Sequence, residues 1–247
     1  DRDLDGVGDA CDGPSIADSE YDWSATGEQG EKGWYNGYYD YTLDFVQADG
    51  MYEADDFLEF TSPDMWLDTL WRIQPDWGVG PWTLIAQGDV HPNGTNSPPS
   101  AEHWAVRRWV STYAGQAVVC WHMRKGNAAG GGVTGRLFLN GEEIDNQAIA
   151  GTDTVGVKRT HLVTLKLNDI IDLAITPAGP CGDTADSSDG SFNILSVTAD
   201  ISAAGGALEL LADSALDLSG TQGENGWYYG YYDQRADVET GDGVYAA

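Results

Sequence analysis

The sequence predicts an all-β protein built as a two-sheet β-sandwich, on three observations. From Tyr21 onward, short alternating or wholly apolar runs follow one another, separated by Gly, Asn, Asp and Pro. That is the pattern of half-buried strands joined by tight turns. No segment keeps an apolar i, i+3, i+4, i+7 spacing long enough to predict a helix. The 32 glycines suit turns and bulges, since glycine weakens the interior of any regular element.

Taken in order, strands are expected near Trp34–Asp40, Met65–Ile73, Trp82–Ala86, Trp104–Tyr113, Ala117–Met123 and Val133–Leu139. Others follow near Glu142–Ile149, Val157–Lys166, Ile170–Thr176 and Phe192–Ile201. Asn140-Gly141, between Phe138-Leu139 and Glu142-Glu143, is the strongest hairpin signal, because both residues accept the positive φ of a two-residue turn. Ten or so short strands at this spacing fill two packed sheets.

The chain also repeats itself. Gln29–Tyr39 reads Q-G-E-K-G-W-Y-N-G-Y-Y and returns at Gln222–Tyr232 as Q-G-E-N-G-W-Y-Y-G-Y-Y. At the same spacing, Asp40, Asp44, Asp49, Gly50, Tyr52 and Ala54 recur as Asp233, Asp237, Asp242, Gly243, Tyr245 and Ala247. A match so rich in Trp, Tyr and Gly marks an internal repeat. It divides the chain into an appended segment, 1–18, a full unit, 19–204, a linker, 205–216, and the opening of a second unit, 217–247. A unit of roughly 185 residues buries about 70% of its extended surface and needs no metal or disulfide to have a core. The aromatic stretch Ser214–Ala247 is too short to enclose one. It is expected to pack on the rest of its own unit or on a neighbouring molecule. The expected partners are therefore other copies or neighbouring repeats, joined head to tail in a contact that propagates.

Forty acids against 12 Lys and Arg give a formal charge of −28. Such a field repels nucleic acid and anionic lipid and attracts divalent cations. No apolar run approaches the ~18 residues that cross a bilayer, so membrane insertion is not expected. Cys11, Cys120 and Cys181 form no C-x-x-C pair, which argues against zinc, iron–sulfur and redox chemistry. The sequon Asn93-Gly94-Thr95 is explained by chance.

The opening residues read D-R-D-L-D-G-V-G-D-A-C-D. Acids at 1, 3, 5 and 12 with Gly at 6 have the spacing of a calcium loop, in which Gly6 permits the sharp turn and Val7 offers its carbonyl. This segment resembles a thrombospondin type-3 repeat, whose pattern D-x-D-x-D-G-x-G-D-x-C-D it fills throughout. The resemblance implies Ca2+ on Asp1, Asp3, Asp5, Val7 and Asp12, with Asp9 turned toward a neighbouring ion, and an extracellular or cell-surface location. It also assigns Cys11 to a bridge with a neighbouring repeat. Three cysteines allow three pairings and spacing does not choose among them. Cys120–Cys181 is the expected intradomain bond, closing about 60 residues for roughly 4 kcal/mol. A second acidic loop, Asp183–Asn193, offers Asp186 and Asp189 beside Gly190, either as a further Ca2+ site or as an ordinary surface turn.

Ligand candidates come from two stretches. Strand alternation puts Trp34, Asn36 and Tyr38 on one face and Tyr35, Gly37 and Tyr39 on the other. Trp34, Tyr38 and Tyr39 could stack on sugar rings, or one face could be core and the other lie under a loop. His91 beside Asp89 could be oriented as a base, but no nucleophile motif accompanies it. Arg107 and Arg108 point opposite ways, one expected to meet a buried carboxylate and the other a surface acid, and Arg107 is also a candidate ligand residue.

Taken whole, the unit resembles secreted bacterial β-sandwich modules of the carbohydrate-binding jelly-roll kind. The resemblance rests on the Q-G-x-x-G-W-Y-x-G-Y-Y opening, H-P-N-G at 91–94, W-A-V-R-R-W at 104–109 and N-D-I-I-D-L-A-I at 168–175. It implies a jelly-roll-like sandwich and secretion. The expected function is a non-catalytic, calcium-binding repeat of a tandem surface, adhesive or filament-forming protein. The alternative is a carbohydrate-binding module of a secreted polysaccharide-degrading enzyme, with polysaccharide as the partner. A binding module needs aromatic surface open to a ligand, whereas a structural repeat buries it.

Overall fold

Alternation of side chains along the strands sets the architecture. The computed structural model describes residues 15–76, 78–96, 98–185 and 190–199. The chain divides into two units, Asp1–Ile201 and Ser202–Ala247, and every described residue belongs to the first. Asp1, Asp3, Asp5, Val7, Asp9, Asp12, Asp186, Asp189, Cys11, the linker and the second copy of the aromatic motif lie outside the described residues.

In chain order the strands are β1 (Ser15–Asp18), β2 (Trp34–Asp40), β3 (Leu58–Glu59), β4 (Trp66–Leu67), β5 (Leu70–Arg72), β6 (Leu84–Ile85) and β7 (Asp89–His91). They continue as β8 (His103–Val110), β9 (Gly115–Lys125), β10 (Gly132–Leu139), β11 (Glu142–Ala150), β12 (Val157–Leu165), β13 (Ile170–Thr176) and β14 (Ser191–Ala199). A helix, α1 (Tyr41–Gln47), follows β2. Eight strands form one sheet in the order β12-β9-β14-β7-β6-β5-β4, with β1 also on β14. Six form the other, β11-β10-β13-β8-β2-β3. The described pairings are antiparallel, and the protein is a two-sheet sandwich, as its sequence predicts.

The core lies between the sheets. Along β9, Ala117, Val119, Trp121 and Met123 point inward, and they meet Ala105 and Trp109 of β8, Leu137 of β10 and Ile171, Leu173 and Ile175 of β13. Each fully buried aliphatic side chain here contributes roughly 1.5–3 kcal/mol by leaving water. Two polar links tie the layers. Arg107, 1% exposed, donates from Nε to Asn193 Oδ1 of the opposite sheet at 2.7 Å and from Nη2 to the carbonyls of Ala86 and Gln87. Burial pulls its pKa down to about 9, so it still carries its charge at neutral pH. At the far edge, Asp145 of β11 accepts both guanidinium branches of Arg159 at 2.7 Å, His161 Nε2 at 2.7 Å and Trp121 Nε1 at 3.1 Å. Arg159 and His161 stand on β12, so this group latches the outer strand of one sheet to that of the other.

The Asn140-Gly141 turn is present as expected. φ is 53° and 84° at its two residues, and β10 and β11 pair outward from Leu139–Glu142. Elsewhere the chain departs from expectation. Met65–Ile73 is a hairpin of β4 and β5, reversed at Asp68 and Thr69 with φ of 55° and 75°, a turn that no glycine announces. Helix α1 was not legible because it has seven residues and no buried face. Asp40 starts it by accepting the Leu43 N–H at 2.9 Å. The expected Cys120–Cys181 disulfide is absent. Cys120 points outward from the middle of β9 in the eight-stranded sheet, while Cys181 sits in an exposed loop that leaves β13 of the other sheet. The sequon Asn93 is buried, and its Nδ2 donates to the Gly94 and Ala101 carbonyls, so it offers no amide to a glycan.

Candidate functional site

The outer face of the six-stranded sheet carries a second apolar cluster. Residues of even number on β8, β10 and β13 point away from the core, yet several of them are large or apolar. Trp104, Val106, Phe138 and Ala174 are buried there together with Tyr39 and Tyr52. What covers them is the segment 41–57, which comprises α1 and the loop returning to β3. The cover is fastened by buried bonds. Tyr39 donates its hydroxyl to Asp44 Oδ2 at 2.8 Å, and the Gly50 N–H reaches the same oxygen at 2.9 Å. Tyr52 donates to Asp172 Oδ2 at 2.7 Å. Arg108 completes the fastening, with two 2.8 Å bonds to Asp172, a 2.7 Å bond to the Ala54 carbonyl and its guanidinium 4.1 Å from the Phe57 ring centre. Burial pushes the Tyr52 hydroxyl and the Asp172 carboxyl above their usual ranges, the latter against the pull of Arg108 and Tyr52.

The cover does not reach across the whole face. Beside it opens a cleft of about 600 Å³. Its floor is Trp104 and Phe138, one wall is Tyr41, Met51 and Tyr52 of the cover, and the other is Arg136 with Glu142 and Glu143. Thr176, Ala178 and Thr184 close one end. Tyr41 stacks nearly parallel on Trp104, with ring centres 5.8 Å apart and planes 9° apart. The Arg136 guanidinium lies 5.1 Å from the Trp104 ring centre and also donates to Glu143. Glu102 Oε1 accepts the Trp104 indole N–H at 2.8 Å, and burial raises its carboxyl pKa. Aromatic rings thus stand beside planar hydrogen-bonding groups, one cationic and three anionic. A neutral ligand with apolar faces and paired hydroxyls would meet complementary groups on every wall.

The residues named from sequence fall elsewhere. Trp34 is in the main core and donates its indole N–H to Asp22. Tyr38 is half-buried, inside the sandwich, against Phe60 and His103. Tyr39 lies under the cover. His91 is half-buried with Nδ1 against the Pro92 carbonyl, and burial lowers its pKa. Arg107 spans the two sheets. None of the five lines the cleft. The expected carboxylate partner goes to Arg108 through Asp172, and Arg107 is held by an amide and carbonyls instead.

A row of Thr83, His103 and Asp40 looks like a nucleophile relay. Thr83 Oγ1 is 3.0 Å from His103 Nδ1, and His103 Nε2 is 3.5 Å from Asp40 Oδ2. Thr83 is wholly buried, so no substrate reaches its hydroxyl. Among the described residues, no group of three or more His, Cys, Asp or Glu is placed to hold a metal ion.

Sequence reading missed Tyr41, Glu102, Arg136, Phe138 and Glu143. A signal for the face was present. β8 carries bulky residues at both parities, Trp104 and Val106 as well as Ala105 and Trp109, and such a strand needs a partner on each side. The identity of the cover was not readable, because its α-helix is too short to leave a periodic pattern.

No protein-family model matches the chain, and no curated protein sequence does. Among solved structures, the chain is similar to a family 35 carbohydrate-binding module from Clostridium thermocellum. Identity is 12% and the TM-score 0.28, over 53% of this chain and 87% of that one. It is similar to a β-glucosidase from Kluyveromyces marxianus at 12% identity and a TM-score of 0.33, over 80% of this chain but 20% of the enzyme. It is also similar to CBM51 from Clostridium perfringens, solved with methyl-galactose, at 14% identity and a TM-score of 0.26, over 47% and 76%. These likenesses are distant, and they carry no residue of those proteins onto this chain.

Proposed function

We propose that the described unit is a non-catalytic carbohydrate-binding module that takes a neutral glycan in the cleft beside the cover. The observation that carries the reading is the composition of that cleft. Tyr41, backed by the Trp104 ring stacked on it, offers ring surface to the C–H faces of a sugar, while Arg136, Glu143 and Glu102 offer donors and acceptors to its hydroxyls. Charge narrows the class. Three glutamates stand against one arginine in the cleft, on a chain of net charge −28, so uronic-acid and sulfated chains are repelled. This favours the carbohydrate-binding alternative over the adhesive or filament repeat.

A second reading keeps its own observation. The acid spacing of residues 1–12 favours a Ca2+-loaded segment preceding the module, and the duplicated motif favours tandem units joined head to tail. Both lie outside the described residues and are compatible with a secreted binding module.

The test is affinity electrophoresis of the whole chain through gels holding arabinoxylan, galactomannan, β-glucan, polygalacturonate or alginate. Retardation by at least one neutral polymer and by neither anionic one is the expected result. Arg136→Ala and Tyr41→Ala should each weaken the retained pair tenfold or more. Equal retardation of these variants and the parent overturns the site, and no retardation by any polymer overturns the function.

A further inference from the structure

We propose that three positions of the cover, Tyr41, Phe45 and Met51, set which glycan the cleft takes. This rests on the carbohydrate-binding reading above.

The repeat supplies the comparison. Within 41–52, Asp44, Asp49, Gly50 and Tyr52 recur unchanged as Asp237, Asp242, Gly243 and Tyr245. Each of these has an internal duty in the described unit. Asp44 receives Tyr39 and Gly50, and Asp49 Oδ1 receives the Met51 N–H at 2.9 Å. Gly50 takes a φ of 72°, where an added Cβ would also press on Phe45 at 2.8 Å. Tyr52 anchors to Asp172. The same holds just upstream. Tyr39 and Asp40, which fasten and cap α1, recur as Tyr232 and Asp233.

The other positions change, and they change in kind. Tyr41, Leu43, Phe45, Val46 and Met51 stand where the second copy has Gln234, Ala236, Val238, Glu239 and Val244. Leu43, Phe45, Val46 and Met51 are 47%, 63%, 77% and 66% exposed. Drift at exposed positions exchanges polar residues for other polar ones. Here apolar side chains held in water are exchanged for smaller apolar ones or, at one position, for a charged one. Retaining four such groups at the surface is unfavourable unless something covers them.

Their place says what does. Tyr41 and Met51 line the cleft, and Phe45 lies against Tyr41 with ring centres 5.8 Å apart. Tyr41, Phe45 and Met51 therefore form one apolar strip continuous with the cleft wall, and its occupant is the glycan chain continuing out of the cleft. Thr42 also changes, but its hydroxyl accepts the Glu102 N–H at 2.7 Å, and Leu43 and Val46 stand about 200° and 140° around α1 from Tyr41, so these are left out of the three.

The experiment grafts the second copy's residues onto the first in the full chain: Tyr41→Gln, Phe45→Val and Met51→Val together. Every bond that fastens the cover is kept, so the unfolding midpoint should move by no more than about 3 °C. Binding to the five polymers named above is then measured for parent and graft. The expected result is a tenfold or greater loss on the polymer the parent prefers, with a changed order of preference. An unchanged order, with affinities within twofold, overturns the proposal while leaving the carbohydrate reading intact. If the parent binds none of the polymers, both readings fall. Should the graft melt early, the pair Phe45→Val and Met51→Val is judged by the same loss on the preferred polymer, at threefold.

Discussion

On one face of the six-stranded sheet, Leu137, Trp109 and Leu173 are shut against the opposite sheet; on the other, Phe138, Arg108 and Ala174, their neighbours in sequence, are shut beneath a loop. The first face has little freedom, because its apolar side chains are buried in the main core at the packing density of a protein interior. The second is closed by a short segment whose fastenings are a few hydrogen bonds. The difference teaches where a sandwich can carry a ligand without disturbing its core: on the face whose cover is secured at its base and open along its edge.

That contrast breaks first on the inner face. Trp109→Ala should cost about 3–5 kcal/mol, the usual range for emptying an aromatic site in a packed core. Urea unfolding would show it as a lower midpoint at unchanged slope. On the outer face, Tyr52→Phe should cost about 1–3 kcal/mol, because Asp172 stays buried and loses a donor. A loss equal to that of Trp109→Ala would mean the cover is as integral as the core.

Acidity sharpens the comparison through two carboxyls of opposite sign. For Asp145, burial alone would raise the pKa, but the bonds from Arg159 and His161 outweigh it and hold it below 3.8. Its contribution is therefore present above the ordinary carboxylate pKa and fades as pH falls through the lowered value. For Glu102, burial raises the pKa above 4.5, so the folded state holds this proton longer, and stability falls as pH rises from the ordinary value through the raised one. In midpoint-against-pH curves, Asp145→Asn should flatten the acid limb, and Glu102→Gln should remove a decline just above pH 4.5. Limbs unchanged in both variants would refute these assignments.

The smallest effect on stability is expected at Arg136→Ala. Its pair with Glu143 is partly exposed and worth about 1 kcal/mol or less. Ligand retention should nevertheless be lost, which separates site from scaffold in one variant.

Much of the scaffold was legible in the sequence. Ala117–Met123 reads as a strand because it is an apolar run rich in Val, Cys and Trp, with every second residue in the core, and Asn140-Gly141 announces its turn through residues that accept positive φ. The repeated motif was legible as important, and its importance is structural. Gln29 clamps Asn36 and Phe60, Trp34 fills the core, and Tyr39 ties down the cover. The site itself was hidden, because Tyr41, Glu102, Arg136 and Glu143 come from four separate elements that only the register of β2, β8 and β10 brings together. Asp68-Thr69 was hidden for another reason: the reversal has no glycine, and Thr69, a β-branched residue, takes positive φ there.

The pairing of β1 with β14 has a mechanical consequence. The two strands run antiparallel, with Ser15 opposite Thr198 and Asp18 opposite Ser196, so the chain enters and leaves the unit side by side at the same end. Tension applied through both ends would load this short ladder one bond after another, as a zipper is opened, and would not shear all of its bonds at once. A unit strung this way yields at low force. Under such tension it would hang from the line of pull as a pendant and not act as a link within it.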